Sequence, residues 1–199
     1  NNELLHNLEL PYQAVTSTDL YLTHYLNDSA NDPVMNRIRA QKLRNSEEDK
    51  VKIFFVPSYL NGDDGVFNMP YYDLLVGMDL TAFPSYYEPW GYTPLESLAF
   101  KVPTITTTLA GFGLWVKEHY NMNHPGIEVI HREDGDASNV ATAIAEWVKN
   151  YTQVGETEMQ KDRDNAKDVS RIALWDNLIN YYKQAYTIAL NQVSVRSVS

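Results

Sequence analysis

Short apolar segments alternate with segments of helical periodicity along most of the chain. Five consecutive apolar residues at 53–57 predict a parallel strand that is covered on both faces. Shorter apolar stretches predict further strands at 20–26, 78–83, 104–108 and 127–130. Apolar positions with helical spacing predict helices at 32–43, 70–76, 93–100, 114–119, 139–151, 156–169 and 172–190. The alternation predicts an α/β fold, a Rossmann-like parallel sheet with helices on both faces.

The segment FPSYYEPWGYTPLE, at 83–96, is the most informative part of the sequence. It follows a predicted strand and places two prolines and a glycine around a turn. Glu88 lies before the predicted helix, and Glu96 lies in its first turns. Because ligands of open α/β sheets bind at the carboxyl ends of the strands, both glutamates are expected at a binding site. An ionised carboxylate accepts several hydrogen bonds, so the pair suits a ligand that is rich in hydroxyl groups.

The start of this predicted helix is a candidate phosphate site. A helix that begins near Tyr92 or Thr93 has backbone N–H groups without partners and a partial positive charge. Pro94 fits the first turn of a helix, and Gly91 would let a ligand come close to the main chain. The small residues at 107–113 predict a second loop where the backbone could meet a ligand. The alternatives are a plain strand–turn–helix corner with exposed aromatic residues and a flexible connection.

The wording YEPWGYTPxE resembles the glutamate-x7-glutamate region of retaining glycosyltransferases, and among these the glycogen synthases of the animal and fungal type. Other segments are similar to that family in the same order along the chain. They are THYLNDSANDPVMNRIR at 23–39, VKIFFVPSYLN at 51–61, VPTITTTLAGFG at 102–113, GIEVIHR at 126–132 and the helix around 174–175. The resemblance covers residues 20–190, which makes it far more specific than one short motif.

The resemblance implies the C-terminal lobe of a GT-B enzyme, in which two Rossmann-like lobes face a cleft. The complete enzyme would transfer glucose, with retention, from a nucleotide diphosphate glucose to an α-1,4-glucan, without a metal or other cofactor. Glu88 would be the catalytic residue that contacts the donor sugar, and Glu96 would bind the ribose hydroxyls. Thr93 and the neighbouring amides would hold the distal phosphate. The substrate-binding residues implied are Trp90, Gly91, Tyr92, Thr93 and Glu96. No residue distinguishes a uridine from an adenosine donor.

Composition excludes several other classes of function. The chain has 199 residues, of which 44% are hydrophobic, and this suits one domain or part of a larger one. It has no cysteine, so thiol catalysis and zinc–thiolate sites are excluded, and its five histidines lack metal-ligand spacing. A net charge of −10 argues against nucleic acid as a partner. No apolar run reaches membrane-spanning length, so a cytoplasmic location is expected.

The region that should hold the site is short of positive charge. Between residues 51 and 130 the only Lys and Arg side chains are Lys52, Lys101 and Lys117. A helix N-terminus stabilises one negative charge by only about 0.3–1 kcal/mol, whereas a nucleotide sugar carries two phosphate charges. In the family the required Arg and Lys lie upstream, in the first strand–helix segment of the C-terminal lobe. Since the chain starts with Asn1, we expect it to be cut from a longer protein whose N-terminal lobe is missing here, and to be inactive alone.

The expected domain boundaries are a linker at 1–19, the Rossmann-like lobe at 20–192 and a disordered tail at 193–199. The stretch GETEMQKDRDNAKD, at 155–168, replaces the arginine-dense helix that binds glucose 6-phosphate in the family. We therefore predict that this activation is absent. The alternative function is a non-catalytic nucleotide- or carbohydrate-binding module. A sucrose or starch synthase is a weaker alternative, because the wording EPWGYTP disfavours it.

Overall fold

The structure, a computed structural model, describes residues 21–120 and 126–196. It divides the chain into two compact units, Asn1–Pro70 and Tyr71–Ser199. The predicted linker at 1–19 and the last three residues of the predicted tail lie outside the described residues. Whether both units belong to one lobe over 20–192 stays a prediction.

Seven helices and three strands are found in the described residues. In chain order they are α1 (Pro33–Ala40), α2 (Tyr71–Leu75), β1 (Thr81–Ala82), α3 (Tyr92–Ala99), β2 (Thr104–Thr107), α4 (Gly111–His119), β3 (Ile127–Ile130), α5 (Ala137–Tyr151), α6 (Glu156–Ile172) and α7 (Trp175–Arg196). The last of these extends to Arg196, so the chain is helical in part of the segment that was expected to be a disordered tail.

Helix α1 of the first unit begins where the sequence predicts. Asp32 is its N-cap, and the Asp32 carboxylate accepts a hydrogen bond of 2.8 Å from the Met35 N–H. Pro33 occupies the first position, where its missing N–H has no cost. The helix ends earlier than predicted, because the chain turns at Lys42 with a φ of 59°. The core of this unit holds the buried residues Tyr21, Met35 and Ile38.

The predicted strands at 20–26 and 53–57 are wrong. In the described part of the first unit these segments meet only at Leu22 and Phe55, which form one isolated parallel bridge. Phe55 packs against the core of this unit, but Phe54 is 67% exposed. The apolar run therefore has one covered face rather than two, and a fully apolar pattern cannot make that distinction.

The second unit contains a three-stranded parallel sheet in the order β1–β2–β3. Thr81 is in register with Thr104, and Thr104 with Ile127. Helices connect and cover the strands, which confirms the predicted α/β fold with a parallel sheet. The carboxyl ends of the three strands consequently lie at one edge.

Helices cover both faces of this sheet. Ile127 and Val129 pack in a core cluster with residues of α3, α4 and α6. Ile130 belongs to a different cluster, together with Ile105 and with Val140 from α5. Because neighbouring strand residues point to opposite faces, this division shows that the sheet separates two hydrophobic layers.

Buried hydroxyl groups tie α3 to the sheet behind the motif. The Ser97 hydroxyl of α3 lies 2.7 Å from the Thr81 hydroxyl of β1 and 3.0 Å from the Thr104 hydroxyl of β2. Ser97 and Thr104 are fully buried, and a buried hydroxyl is costly unless it is hydrogen-bonded. The network therefore fixes α3 at one distance from the two strands that lead toward the candidate site.

Candidate functional site

Residues 83–91, which we call the motif loop, connect β1 to α3 at the carboxyl edge of the sheet. The Phe83 N–H donates to the Ile105 carbonyl of β2 over 2.8 Å and continues the sheet by one residue. The Thr107 hydroxyl then donates to the Ser85 carbonyl over 2.7 Å. The sequence predicted this position for the loop.

The motif loop ends at Gly91, which shapes the start of α3. Gly91 has a φ of 101° and a ψ of 75°, and a Cβ atom there would lie 3.3 Å from Pro94 and 3.4 Å from the Glu88 Cγ. Left-handed backbone and a close neighbour both favour glycine. Gly91 gives α3 no side-chain cap, and the N–H groups of Tyr92 and Thr93 donate no hydrogen bond within the described residues. The N-terminus of α3 therefore presents two free donors, as the sequence suggested.

The N-terminus of α4 is different, because its first amides bind the motif loop. The Gly111 N–H donates to the Glu88 carbonyl over 3.0 Å, and the Phe112 N–H donates to the Trp90 carbonyl over 2.6 Å. The Glu88 N–H in turn donates to the Leu109 carbonyl over 3.1 Å. These backbone bonds hold Glu88 from both sides of its peptide unit.

The predicted loop at 107–113 is consequently wrong in its second half, which is helical from Gly111. The small residues serve close backbone packing. A Cβ atom at Gly111 would lie 2.2 Å from the Pro89 carbonyl oxygen, and one at Gly113 would lie 2.3 Å from the Thr107 carbonyl oxygen. The sequence pattern showed that backbone must approach something here, but the partner is the motif loop.

Neither glutamate of the motif forms an ion pair with a described residue. Glu88 and Glu96 are both half-buried. Glu96 faces the tyrosines of α2, and the hydrogen bond and charge of the Glu96 carboxylate raise the pKa of the Tyr72 hydroxyl. Burial and the charge of Glu96 also raise the pKa of Tyr71. Structural ion pairs with described residues therefore occupy neither carboxylate, and Glu96 already accepts a hydrogen bond from Tyr72.

The other motif residues lie in two different surroundings. Trp90 is half-buried and packs against Phe112 and Trp115, with ring centroids 5.8 Å away in each case. Tyr92 and Thr93 are exposed at the start of α3. The structure thus brings Glu88 and Gly91 into contact and places the free amides beside them, while Trp90 points toward the core.

Arg132 is a charged residue of this edge to which the sequence analysis gave no role. It follows β3, and its Nη1 donates to the Pro84 carbonyl of the motif loop over 2.7 Å. Its Cζ lies 5.2 Å from the centre of the Tyr86 ring. The contacts join residues 46 and 48 positions apart in sequence, so only the strand order brings them together. The run GIEVIHR, which ends in Arg132 directly after a predicted strand, was the available signal.

The sequence is similar to known proteins over most of its length. The family model described as glycogen synthase matches residues 12–197. The chain belongs to the glycogen synthase family. It is 30% identical to glycogen [starch] synthase isoform 1 of Saccharomyces cerevisiae over 174 residues, which are 86% of this chain and 25% of the yeast protein. It is 33% identical to glycogen [starch] synthase of Neurospora crassa over 172 residues, 86% of this chain and 24% of that protein. It is 30% identical to liver glycogen [starch] synthase of Mus musculus over 171 residues, which are 85% of this chain and 24% of the mouse protein. The chain spans about a quarter of the length of these relatives.

In this glycogen synthase family chain, an aromatic groove of about 450 Å³ lies beside α3 and α7. Its aromatic lining consists of Trp90, Tyr92, Trp115, Trp175, Tyr181 and Tyr182. Neither Glu88 nor Glu96 lines the groove. Two residues that the family motif assigns to substrate binding thus border a surface that is separate from both carboxylates.

Acidic residues of the described segments form no cluster of three or more that could hold a metal ion. The sequence has two Asp-x-Asp pairs, Asp134 with Asp136 and Asp162 with Asp164. In the first pair Asp134 accepts a hydrogen bond from Tyr86, and in the second Asp164 forms an ion pair with Lys101. Among the described helices none is long and apolar enough to cross a membrane.

Proposed function

We propose that this chain is the donor-binding part of a retaining glucosyltransferase, a glycogen synthase that transfers glucose from a nucleotide diphosphate glucose to an α-1,4-glucan. The observation that carries the proposal is the arrangement around Glu88. Its carboxylate is free of ion pairs, its backbone is fixed to α4, and it lies beside the open N-terminus of α3. A carboxylate on a fixed backbone, next to free amides, suits a ligand that combines sugar hydroxyls with phosphate.

In this proposal Glu88 binds the hydroxyls of the donor glucose and stabilises the positive charge that develops on the sugar ring. Preorganised electrostatics of this kind requires little movement during the reaction, which suits a carboxylate on a fixed backbone. The N–H groups of Tyr92 and Thr93, with the Thr93 hydroxyl, bind the distal phosphate. Glu96 binds the ribose, Gly91 permits close approach, and Trp90 and Tyr92 shape the surface beside the start of α3.

The proposal assigns the counter-charge for the phosphates to another part of a longer protein. The length of the yeast and Neurospora relatives leaves room for a second lobe, and a cleft between two lobes of the GT-B type is the arrangement that we propose. Uridine diphosphate glucose is the proposed donor, and a cytoplasmic location is proposed with it. No metal is proposed for the reaction.

The proposal is tested in the full-length protein by transfer of labelled glucose from the uridine or adenosine diphosphate sugar to glycogen. We expect transfer by the wild type, and a loss of at least about 1,000-fold for Glu88→Gln, which removes the charge and keeps the shape. Glu118→Gln is the matched control, because Glu118 is an exposed glutamate of α4. A Glu88→Gln protein that keeps the wild-type rate would remove Glu88 from the mechanism.

A non-catalytic nucleotide- or carbohydrate-binding module is the second candidate. The observation in its favour is that Arg132, a cation at the carboxyl edge, bonds to the motif loop. Because Arg132 is already engaged there, it does not supply the counter-charge that sugar transfer requires. Binding of uridine diphosphate or a maltooligosaccharide to the full-length protein, with no transfer from either donor, would favour this candidate.

A further inference from the structure

Arg132 makes two contacts with the motif loop just before Glu88. Its Nη1 donates to the Pro84 carbonyl over 2.7 Å, and its guanidinium lies 5.2 Å from the centre of the Tyr86 ring. The first contact is a hydrogen bond from a charged donor and the second is a cation–π contact, and both are attractive. The two contacts constrain neighbouring residues, so they restrict both the position and the orientation of the loop.

The backbone of Arg132 is itself fixed to the sheet. The Arg132 N–H donates to the Thr108 hydroxyl over 2.9 Å, and the Thr108 N–H donates to the Ile130 carbonyl over 3.0 Å. Both bonds join the segment after β3 to the end of β2. The guanidinium therefore extends to the motif loop from a rigid support.

A second link from the same segment reinforces the first. The Tyr86 hydroxyl donates to the Asp134 carboxylate over 2.9 Å. This hydrogen bond and the charge of Asp134 raise the pKa of Tyr86, so the hydroxyl keeps its proton and stays a donor at neutral pH. Asp134 and Arg132 thus bind two different parts of the Tyr86 side chain. Asp134 accepts from its hydroxyl, and Arg132 lies over the face of its ring.

We infer that Arg132 is a positioning residue that holds the motif loop, and through it the Glu88 carboxylate, in the geometry needed for sugar transfer. The inference rests on the proposed function. Side-chain packing does little to hold the outer side of the loop, because Tyr86 is 58% exposed and Tyr87 is 80% exposed. Bonds to α4 begin only at Glu88. The preceding half of the loop is held by Arg132 and Asp134 from the segment after β3, and by the bonds of Phe83 and Ser85 to β2.

The test compares Arg132→Gln with Arg163→Gln in the full-length protein. Arg163, on α6, is a matched control because its Nη2 donates to the Met78 carbonyl over 3.1 Å and to Asp79 over 2.9 Å, on the segment that enters β1. Both arginines therefore anchor a segment next to the same strand, but only one anchors the carboxyl end. We expect Arg132→Gln to lower kcat at least tenfold and Arg163→Gln to change it less than twofold.

Binding separates a positioning role from a merely structural one. Because Arg132 does not contact the N-terminus of α3, Arg132→Gln should leave the Kd for uridine diphosphate within twofold of the wild type. Arg132→Lys keeps a charged donor but loses the planar guanidinium group, so it should restore part of the kcat that Arg132→Gln loses. The same variant replaces Arg132→Gln in the test if the Gln variant does not fold. Equal kcat losses in Arg132→Gln and Arg163→Gln, or no loss in either, would overturn the inference.

Amide hydrogen exchange tests the inference without reference to activity. Arg132→Gln should accelerate exchange at residues 85–90, and Arg163→Gln should accelerate it at 79–81 instead. If the wild type transfers no glucose but this pattern is found, the anchoring role stands while the proposed function fails. If exchange at 85–90 is unchanged in Arg132→Gln, the inference fails whether or not the protein is active.

Discussion

Gly111→Ala should push the motif loop away from α4 and destabilise the protein. The new Cβ atom would lie 2.2 Å from the Pro89 carbonyl oxygen and 3.1 Å from the Pro89 carbonyl carbon. A carbon and a carbonyl oxygen normally lie about 3.3 Å apart or more, so one backbone segment must retreat by roughly 1 Å. Both atoms belong to the main chain, and no side-chain rotation can relieve the contact.

The magnitude follows from the bonds that this movement would break. Lengthening by 1 Å would take the Phe112–Trp90 and Gly111–Glu88 hydrogen bonds, at 2.6 Å and 3.0 Å, beyond bonding distance. Two such bonds contribute about 1–3 kcal/mol together, and overpacking adds about 1–3 kcal/mol. Alanine recovers up to about 1 kcal/mol through its helix propensity. The net expectation is a loss of about 1–6 kcal/mol in the free energy of unfolding.

Urea unfolding, followed by tryptophan fluorescence, measures the loss. Trp90 and Trp115 lie 5.8 Å apart next to the altered contact and report on it. Gly155→Ala is the control, because Gly155 has a φ of −80° and no atom within 4 Å of an added Cβ, so its cost should stay below about 1 kcal/mol. In the full-length protein Gly111→Ala should also reduce transfer about 100-fold, the effect of a displacement near 1 Å. A Gly111→Ala protein as stable and as active as Gly155→Ala would refute this account of the loop.

Four further predictions concern other parts of the chain. Burial raises the pKa of the Asp162 carboxyl, so the ionised Asp162 destabilises the folded chain at any pH above about 3.8, the pKa of this group in the unfolded chain. In urea unfolding, Asp162→Asn should therefore stabilise the chain by about 1 kcal/mol at pH 7, and this gain should disappear near pH 3. Asp164→Asn should destabilise the chain at pH 7 and make little difference near pH 3, because the hydrogen bond from Lys101 lowers the pKa of Asp164 and adds stability that is lost as pH falls. Asp32→Ala should cost about 1 kcal/mol in the same assay, since it removes the cap of α1, and an equal stability would contradict the role of the cap. Glucose 6-phosphate should leave the full-length protein's transfer rate unchanged, because Arg171 on α6 is paired with an acidic neighbour, and a large activation would show the prediction to be wrong.

The sequence predicted the elements whose signals are local. Helix α3 was predicted to within one residue at each end, because Gly91 and Pro94 mark its start. Helix α1 begins within one residue of its predicted start, because Asp32 and Pro33 are adjacent in sequence at that point. Signals of this kind depend only on the types of a few neighbouring residues, because these residue types favour the backbone conformation of a helix start.

The failures share a different cause, which is dependence on distant partners. The run at 53–57 was predicted to have two covered faces, but the exposure of Phe54 depends on which other segments reach it. Gly111 and Gly113 were assigned to a loop, because glycine suits loops and the carbonyl groups that require it cannot be seen locally. Arg132 was given no role, since its partner Pro84 lies 48 residues away. Periodicity describes one segment at a time and contains no information about such pairs.

The charges of the described residues explain how the motif and its counter-charge can be separated. Lys101 pairs with Asp164 and Arg163 with Asp79, both outside the motif loop, while Arg132 bonds to the loop itself. These three cations therefore support the structure and are already engaged. The free donors of the motif are the two amides at the start of α3, and these stabilise a phosphate charge by only about 0.3–1 kcal/mol. Under the proposed function this part of the protein recognises and orients the donor sugar, and cations elsewhere in a longer protein must neutralise its phosphates. Nucleotide affinity should therefore depend on those cations, whereas the position of the sugar should depend on the motif loop.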